Sequence, residues 1–236
     1  MKRAALLPLS FYTQSNNMLT ITPEALVKIG PSIKKDRAAQ IASALTEVCN
    51  IPAYGINTPD IFHEFIANMM EECMEFSRFE ENLNYKTPKR LMAVWPGRFP
   101  TVDIAIQFVN NPKKLAEFVY GKRERDLGNV TAEDGWDFRG SGPIQMTGRR
   151  NITFFTLFYN RSFKTEITIK EMAELLRTDI KIGIHSACWF FAISKGLIQL
   201  AIDDNMTKII KRINGGLTNS ESRFKYYQRA KQAIPE

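Results

Sequence analysis

Glu72, Glu80 and Glu81 lie close together in the chain and offer chemistry that needs no cofactor. One half-buried carboxyl and one in a polar loop are the minimum apparatus for hydrolysing a glycosidic bond: the first protonates the leaving oxygen, and the second activates water or attacks the sugar. On a helical wheel of roughly 100° per residue, Ile61 to Phe76 lines Phe62, Phe65, Ile66, Met69, Cys73 and Phe76 along one apolar stripe, with Met70 at its border. Glu64, Glu71 and Glu75 fall on the far side, which this pattern assigns to solvent. Glu72 falls one heptad after Phe65, at the edge of the stripe. A carboxyl at such an edge is partly desolvated, and like charge from Glu71 and Glu75 adds to the effect. Both favour the protonated form that a general acid needs. The competing reading is a border glutamate that snorkels to water. Just beyond, Glu80-Glu81-Asn82-Leu83-Asn84-Tyr85 places further carboxylates within reach. Such pairs are common by chance, so spacing alone does not choose between the two readings.

Other catalytic templates fit less well. His63-Glu64 has Ala67 where a zinc protease needs its second histidine, and the only other histidine is His185, so no metal is expected. Gly140-Ser141-Gly142 is followed by Gln145 where a dinucleotide fingerprint needs a third glycine, and no phosphate loop occurs. Cys49, Cys73 and Cys188 are too few, and odd in number, for a disulfide scaffold and read as buried free thiols. No cofactor is expected.

Helical periodicity dominates the elements that must hold these residues. Thr22 and Pro23 open one helix. Others are predicted over 37–48, 61–76, 89–94, 113–118, 169–177, 180–193, 206–213 and 220–233. Thr168 and Glu171 form a capping box. The glycine-punctuated stretch from Gly121 to Gly142 reads as too irregular for a helix, and a loop of that length is usually functional. The 236 residues suffice for one large, mostly α domain over residues 18–236, preceded by an arm at residues 1–17. That arm, Met-Lys-Arg-Ala-Ala-Leu-Leu-Pro-Leu at its start, imitates a signal peptide, but its apolar part is too short and no cleavage site follows, so export by it is not expected. No apolar run approaches the roughly 18 residues of a membrane span. The net charge of +7 suits an anionic partner such as nucleic acid, a phospholipid surface or a bacterial envelope. No nucleic-acid motif accompanies it, so a nucleic-acid partner is not expected.

Glu71-Glu72-Cys73-Met74-Glu75-Phe76 followed by Phe79-Glu80-Glu81-Asn82-Leu83-Asn84-Tyr85 resembles the catalytic segment of family 19 glycoside hydrolases, most of all the compact bacteriophage endolysins and bacterial chitinases of that family. Trp136 to Asn151, Trp-Asp-Phe-Arg-Gly-Ser-Gly-Pro-Ile-Gln-Met-Thr-Gly-Arg-Arg-Asn, is similar to their signature loop. Ser186-Ala187-Cys188-Trp189-Phe190, Ile213-Asn214-Gly215-Gly216 and Arg223 with Tyr226-Tyr227-Gln228-Arg229 match later landmarks in order, so the likeness runs from about Leu19 to Ala233.

The resemblance implies an all-α, lysozyme-like domain of two lobes with a substrate cleft, and inverting cleavage of a β-1,4 bond beside an N-acetylated sugar. It assigns Glu72 as general acid, Glu81 as general base and Thr147 as the hydroxyl that holds the attacking water, with Thr87 where some phage enzymes place a catalytic threonine. Gln145, Asn151, Asn214 and Tyr85 fall among sugar-binding positions, and Arg223 takes the place of an arginine that supports the acid. The family usually has His at Glu71, Gly-Gly at Met74-Glu75, Arg at Ser141 and Tyr at Ile152. These departures leave cleft shape and substrate preference open. The expected partner is bacterial peptidoglycan, with chitin as the alternative polymer and a glycan-binding or virion structural role as the alternative class. The expected setting is a monomer made in the host cytoplasm, reaching the periplasmic wall through a holin-like partner, or carried on a virion, without stable membrane insertion.

Overall fold

A computed structural model describes residues 18–235, so the expected arm at residues 1–17 lies outside the described residues. Proline and a polar residue just before it start many of the helices. Thr22 accepts from the Ala25 N–H at 3.1 Å to open α1 (Pro23–Ile29). After α2 (Lys35–Cys49), Pro59 opens α3 (Pro59–Glu72). Thr87 caps α4 (Pro88–Val94), Thr101 caps the single turn α5 (Val102–Ala105), and Asn111 caps α6 (Pro112–Tyr120). Proline suits these first positions because its missing N–H would have no helical partner there. The chain continues through α7 (Glu124–Leu127), α8 (Asp134–Asp137) and α9 (Arg149–Phe163). The predicted capping box of Thr168 and Glu171 opens α10 (Ile169–Thr178). Next come α11 (Ile180–Trp189), a π-helical turn at Phe190–Ser194, α12 (Ile198–Ile202), α13 (Met206–Asn214) and α14 (Ser220–Ala233). Among the described residues there is no strand, only isolated bridges pairing Ser141 with Glu80 and with Met146. The fold is all-α and lysozyme-like.

Two main apolar cores lie behind this order, beside a small third cluster of Ala67, Met206, Ile210 and Tyr227. The larger contains Leu26, Leu45, Phe65, Phe76 and Phe79 from the first third and Phe138, Phe155, Leu176 and Phe191 from the rest. The smaller is drawn wholly from Leu83 to Val119, with Tyr85, Trp95, Tyr120 and Trp136 packed on its rim. The chain therefore passes from one core to the other between Phe79 and Leu83, and returns between Trp136 and Phe138. Burial of such aromatic side chains, at roughly 25 cal/mol per Å² of apolar surface, is the main force holding each lobe.

Three expectations need correction. The third helix stops at Glu72 rather than Phe76, because Met74, Glu75 and Phe76 all take left-handed φ angles of 48°, 54° and 55°. Glu64 does not face solvent; it is 1% exposed, since α14 packs along α3 and covers the side opposite the stripe. The stretch from Gly121 to Gly142 contains two single-turn helices, α7 and α8. Asp134 gathers it: its carboxylate accepts from the Val130 and Thr131 N–H groups at 2.7 and 3.3 Å and from Arg149 Nε and Nη2 at 2.9 and 2.5 Å. The sequence reading missed α9 altogether. The three cysteines are free and buried, as expected.

Candidate active site

Glu72 is the last residue of α3, its side chain 29% exposed, at the mouth of a pocket lined by Glu71, Asn214, Thr218, Asn219 and Arg223. The edge position read from the helical wheel is thus retained. Arg223 reaches it from α14 and is itself almost fully buried. Its guanidinium donates to Glu72 Oε1 through Nη2 and to Asn68 Oδ1 through Nη1 at 2.9 Å. With its amide in the orientation that satisfies both neighbours, Asn214 donates to Glu72 Oε1 at 3.2 Å and accepts from Arg223 Nη2 at 3.0 Å. Both donors converge on Oε1, and among the described residues none meets Oε2. One oxygen anchors the carboxyl; the other is available to carry a proton outward.

The neighbouring glutamates are held by partners of their own. Glu71 accepts from Asn219 Nδ2 at 2.7 Å and Ser222 Oγ at 2.5 Å, tying α3 to the start of α14. Glu75 accepts from the Ser32 N–H at 2.6 Å and the Tyr226 hydroxyl at 2.8 Å. Both are engaged in hydrogen bonds of their own.

Glu81 sits where the chain crosses between the cores. Its N–H donates to the Gly140 carbonyl at 2.9 Å, while the Gly140 N–H donates to Glu81 Oε2 at 3.0 Å. Tyr120, from the end of α6, donates its hydroxyl to Glu81 Oε1 at 2.7 Å. Burial, reinforced by the Glu81 charge, pushes the Tyr120 hydroxyl well above the usual tyrosine range, so it remains a protonated donor. Each oxygen accepts one hydrogen bond and keeps a lone pair for a further proton. The sequence reading missed Tyr120; its only signal was a place at the border of the α6 apolar face, next to Val119. It had also given Gly140 no task beyond a turn. A Cβ at Gly140 would stand 3.1 Å from Glu81 Oε2 and 3.0 Å from Gln145 Oε1, so this glycine makes room for both.

Beside Glu81, Glu80 pairs with Arg139, whose guanidinium lies 3.8 Å from the Trp136 ring centroid. That cation occupies one face of Trp136. Trp189 is a core residue against Phe155. Ser141, where the family usually has arginine, accepts instead from Arg177 Nη1 at 3.0 Å.

The structure gives the remaining expected site residues more local employment. Gln145, at φ 49°, donates its amide to the Gly142 carbonyl at 2.9 Å, and Asn151 donates to the Thr147 carbonyl at 2.8 Å. Each amide nitrogen spends one N–H within the loop and keeps a second, which with the carbonyl oxygen is what it offers a ligand. Thr147 donates to the Gln145 carbonyl at 3.0 Å, which leaves its hydroxyl oxygen able to accept. Thr87 is the N-cap of α4, accepting from the Arg90 N–H at 3.3 Å. Thr87 and Tyr85 line one pocket with Glu81, whereas Asn214 and Arg223 line the pocket of Glu72.

No protein-family model matches the chain. A curated protein of Haemophilus influenzae, named glycosyl hydrolase family 19 domain-containing protein, is 29% identical to it over 164 residues, 70% of this chain and 75% of that protein. The chain is a relative of the family 19 glycoside hydrolases. The kinship supports a glycosidase.

Proposed function

We propose that this family 19 relative hydrolyses β-1,4 bonds in the glycan strands of bacterial peptidoglycan, with inversion, as an endolysin-type enzyme working on the periplasmic side of the wall. The observation that carries the reading is the contrast between the two carboxyls. Glu72 is gripped at one oxygen by Arg223 and Asn214, leaving Oε2 to deliver a proton to the leaving glycosidic oxygen. Glu81 is held through both oxygens by Tyr120 and Gly140 and takes a proton from water as that water attacks the anomeric carbon. The water lies between Glu81 and Thr147, whose hydroxyl oxygen accepts its second hydrogen. Attack opposite to departure inverts the anomeric centre. Net charge of +7 favours an anionic envelope over neutral chitin.

The test is turbidity loss of outer-membrane-stripped Gram-negative cells with wild type and Glu72→Gln side by side, and mass spectrometry of the released fragments. Wild type alone should lyse the cells and release glycan fragments with intact peptide stems. The glutamine keeps an oxygen for Arg223, so the variant should fold, losing about 1–2 kcal/mol of stability. Appreciable lysis by the variant removes Glu72 from the acid role. Activity on chitin oligomers alone makes the enzyme a chitinase, and a first-formed product of retained configuration overturns inversion.

A further inference from the structure

The two pockets differ in charge. In the Glu72 pocket, Glu71 and Glu72 outnumber the single cation, Arg223, and Glu72 neutralises it directly. The Glu81 pocket, of about 480 Å³, has the reverse balance: Arg78, Lys86 and Arg90 line it with Asn82, Asn84, Tyr85 and Thr87, and Glu81 is its only acid. Glu81 makes no ion pair with any of them; its oxygens face Tyr120 and Gly140, and a single carboxylate leaves the pocket net positive. Among the described residues, none of the three cations lies in a salt bridge; the guanidinium of Arg78 makes only a weak hydrogen bond, to Met74 Sδ at 4.0 Å. Arg78 and Arg90 approach from opposite ends of the segment, yet both are near enough to the Tyr85 hydroxyl to act on it electrostatically. Three unpaired cations beside a group that must accept a proton bring no benefit to a neutral sugar polymer. They suit a substrate that carries its own negative charge.

We propose that Arg78, Lys86 and Arg90 form a carboxylate-binding subsite that takes the peptide-stem carboxylates of the substrate and so selects substituted glycan over chitin. This rests on the peptidoglycan reading and deepens it. The subsite fixes the register of the strand: a stem-bearing sugar lies on the Glu81 side, away from the acidic Glu72 pocket. Because the cations are solvent-exposed, they contribute chiefly to ground-state binding and to salt dependence.

The experiment compares wild type with a triple variant, Arg78→Gln, Lys86→Gln and Arg90→Gln, on native sacculi, on sacculi whose stem carboxylates have been converted to amides, and on neutral chitin oligomers. Circular dichroism and thermal melting verify the fold. A charge-preserving pair, Arg78→Lys with Arg90→Lys, accompanies them. The triple variant should lose about tenfold in kcat/KM on native sacculi, through KM, together with most of the salt dependence. On amidated sacculi, wild type and triple variant should be equal, and the lysine pair should keep activity near wild type throughout. Equal activity of wild type and triple variant on native sacculi overturns the subsite while leaving the peptidoglycan reading in place, as does an equal loss on native and amidated sacculi. Turnover of chitin oligomers with none of either kind of sacculus overturns the peptidoglycan reading itself, and the subsite with it.

Discussion

Glu64→Gln tests what burial does to a carboxyl on the side of α3 that the helical wheel gave to solvent. Burial, with the Asp204 carboxylate next to it, raises Glu64 from 4.5 to about 8, against a smaller opposing pull from Lys231. No donor among the described residues meets either Glu64 oxygen, so the native state keeps a proton there. The unfolded chain releases that proton near its ordinary value. Between those two values the folded state binds more protons, so stability is greatest at the acid end and falls as pH rises. At about 1.36 kcal/mol per unit, the whole shift is worth about 4–5 kcal/mol, of which about 3 kcal/mol is lost between roughly pH 5 and pH 8. Glutamine fills the same space, offers Asp204 an amide donor and does not titrate. Guanidinium unfolding near both pH values should show wild type and Glu64→Gln similar at the acid end. At the alkaline end the variant should be more stable by about 3 kcal/mol. Parallel losses of stability in the two proteins would refute the argument.

The other predictions concern the catalytic apparatus and the turn before it. Tyr120→Phe removes the 2.7 Å donor to Glu81 Oε1 and should lower kcat about tenfold with little change in KM; an unchanged kcat leaves Tyr120 a packing residue. Thr147→Ala should lower kcat more than it raises KM, because the hydroxyl orients water rather than sugar; a change confined to KM removes it from the mechanism. Met74→Gly relieves a left-handed residue whose side chain is 62% exposed, and should stabilise the protein by about 0.5–1 kcal/mol after the entropy lost to glycine, read as a rise in melting temperature. A lower melting temperature would mean that the turn carries no relievable strain.

What the sequence made legible follows from how local each signal is. Thr22, Pro23, Thr168 and Glu171 cap helices within four residues of themselves, and their predicted roles are met. The edge position of Glu72 needed only the helix period. Glu64 was misplaced because its burial depends on α14, more than 150 residues away, which no wheel drawn on α3 contains. The helix α9 went unseen because Ile152-Thr153-Phe154-Phe155-Thr156 is rich in β-branched and aromatic residues and Gly148 provides no side-chain cap. Tertiary packing of Ile152, Phe155 and Thr156 into the core overrides that preference. The end of α3 was overrun because Met74 and Glu75 give no glycine signal for the left-handed turn they make. Glu75 instead secures that turn through Ser32 and Tyr226.

The two crossings between the cores have a mechanical consequence. The segment from Glu80 to Leu83 and the segment from Trp136 to Ser141 run side by side, joined through Glu80 and Ser141 and through Glu81 and Gly140. They are the covalent links between the lobes, so parting the lobes to admit a polymer bends the chain there, and Glu81 stands at the pivot. Displacement is smallest at a pivot. The base and its Gly140 donor therefore keep their mutual geometry through such a motion, while Tyr120, carried by the smaller lobe, swings with it. The 2.7 Å hydrogen bond from Tyr120 to Glu81 therefore ties the smaller lobe to the pivot, and any parting of the lobes stretches that bond before it disturbs the pairing of Glu81 with Gly140.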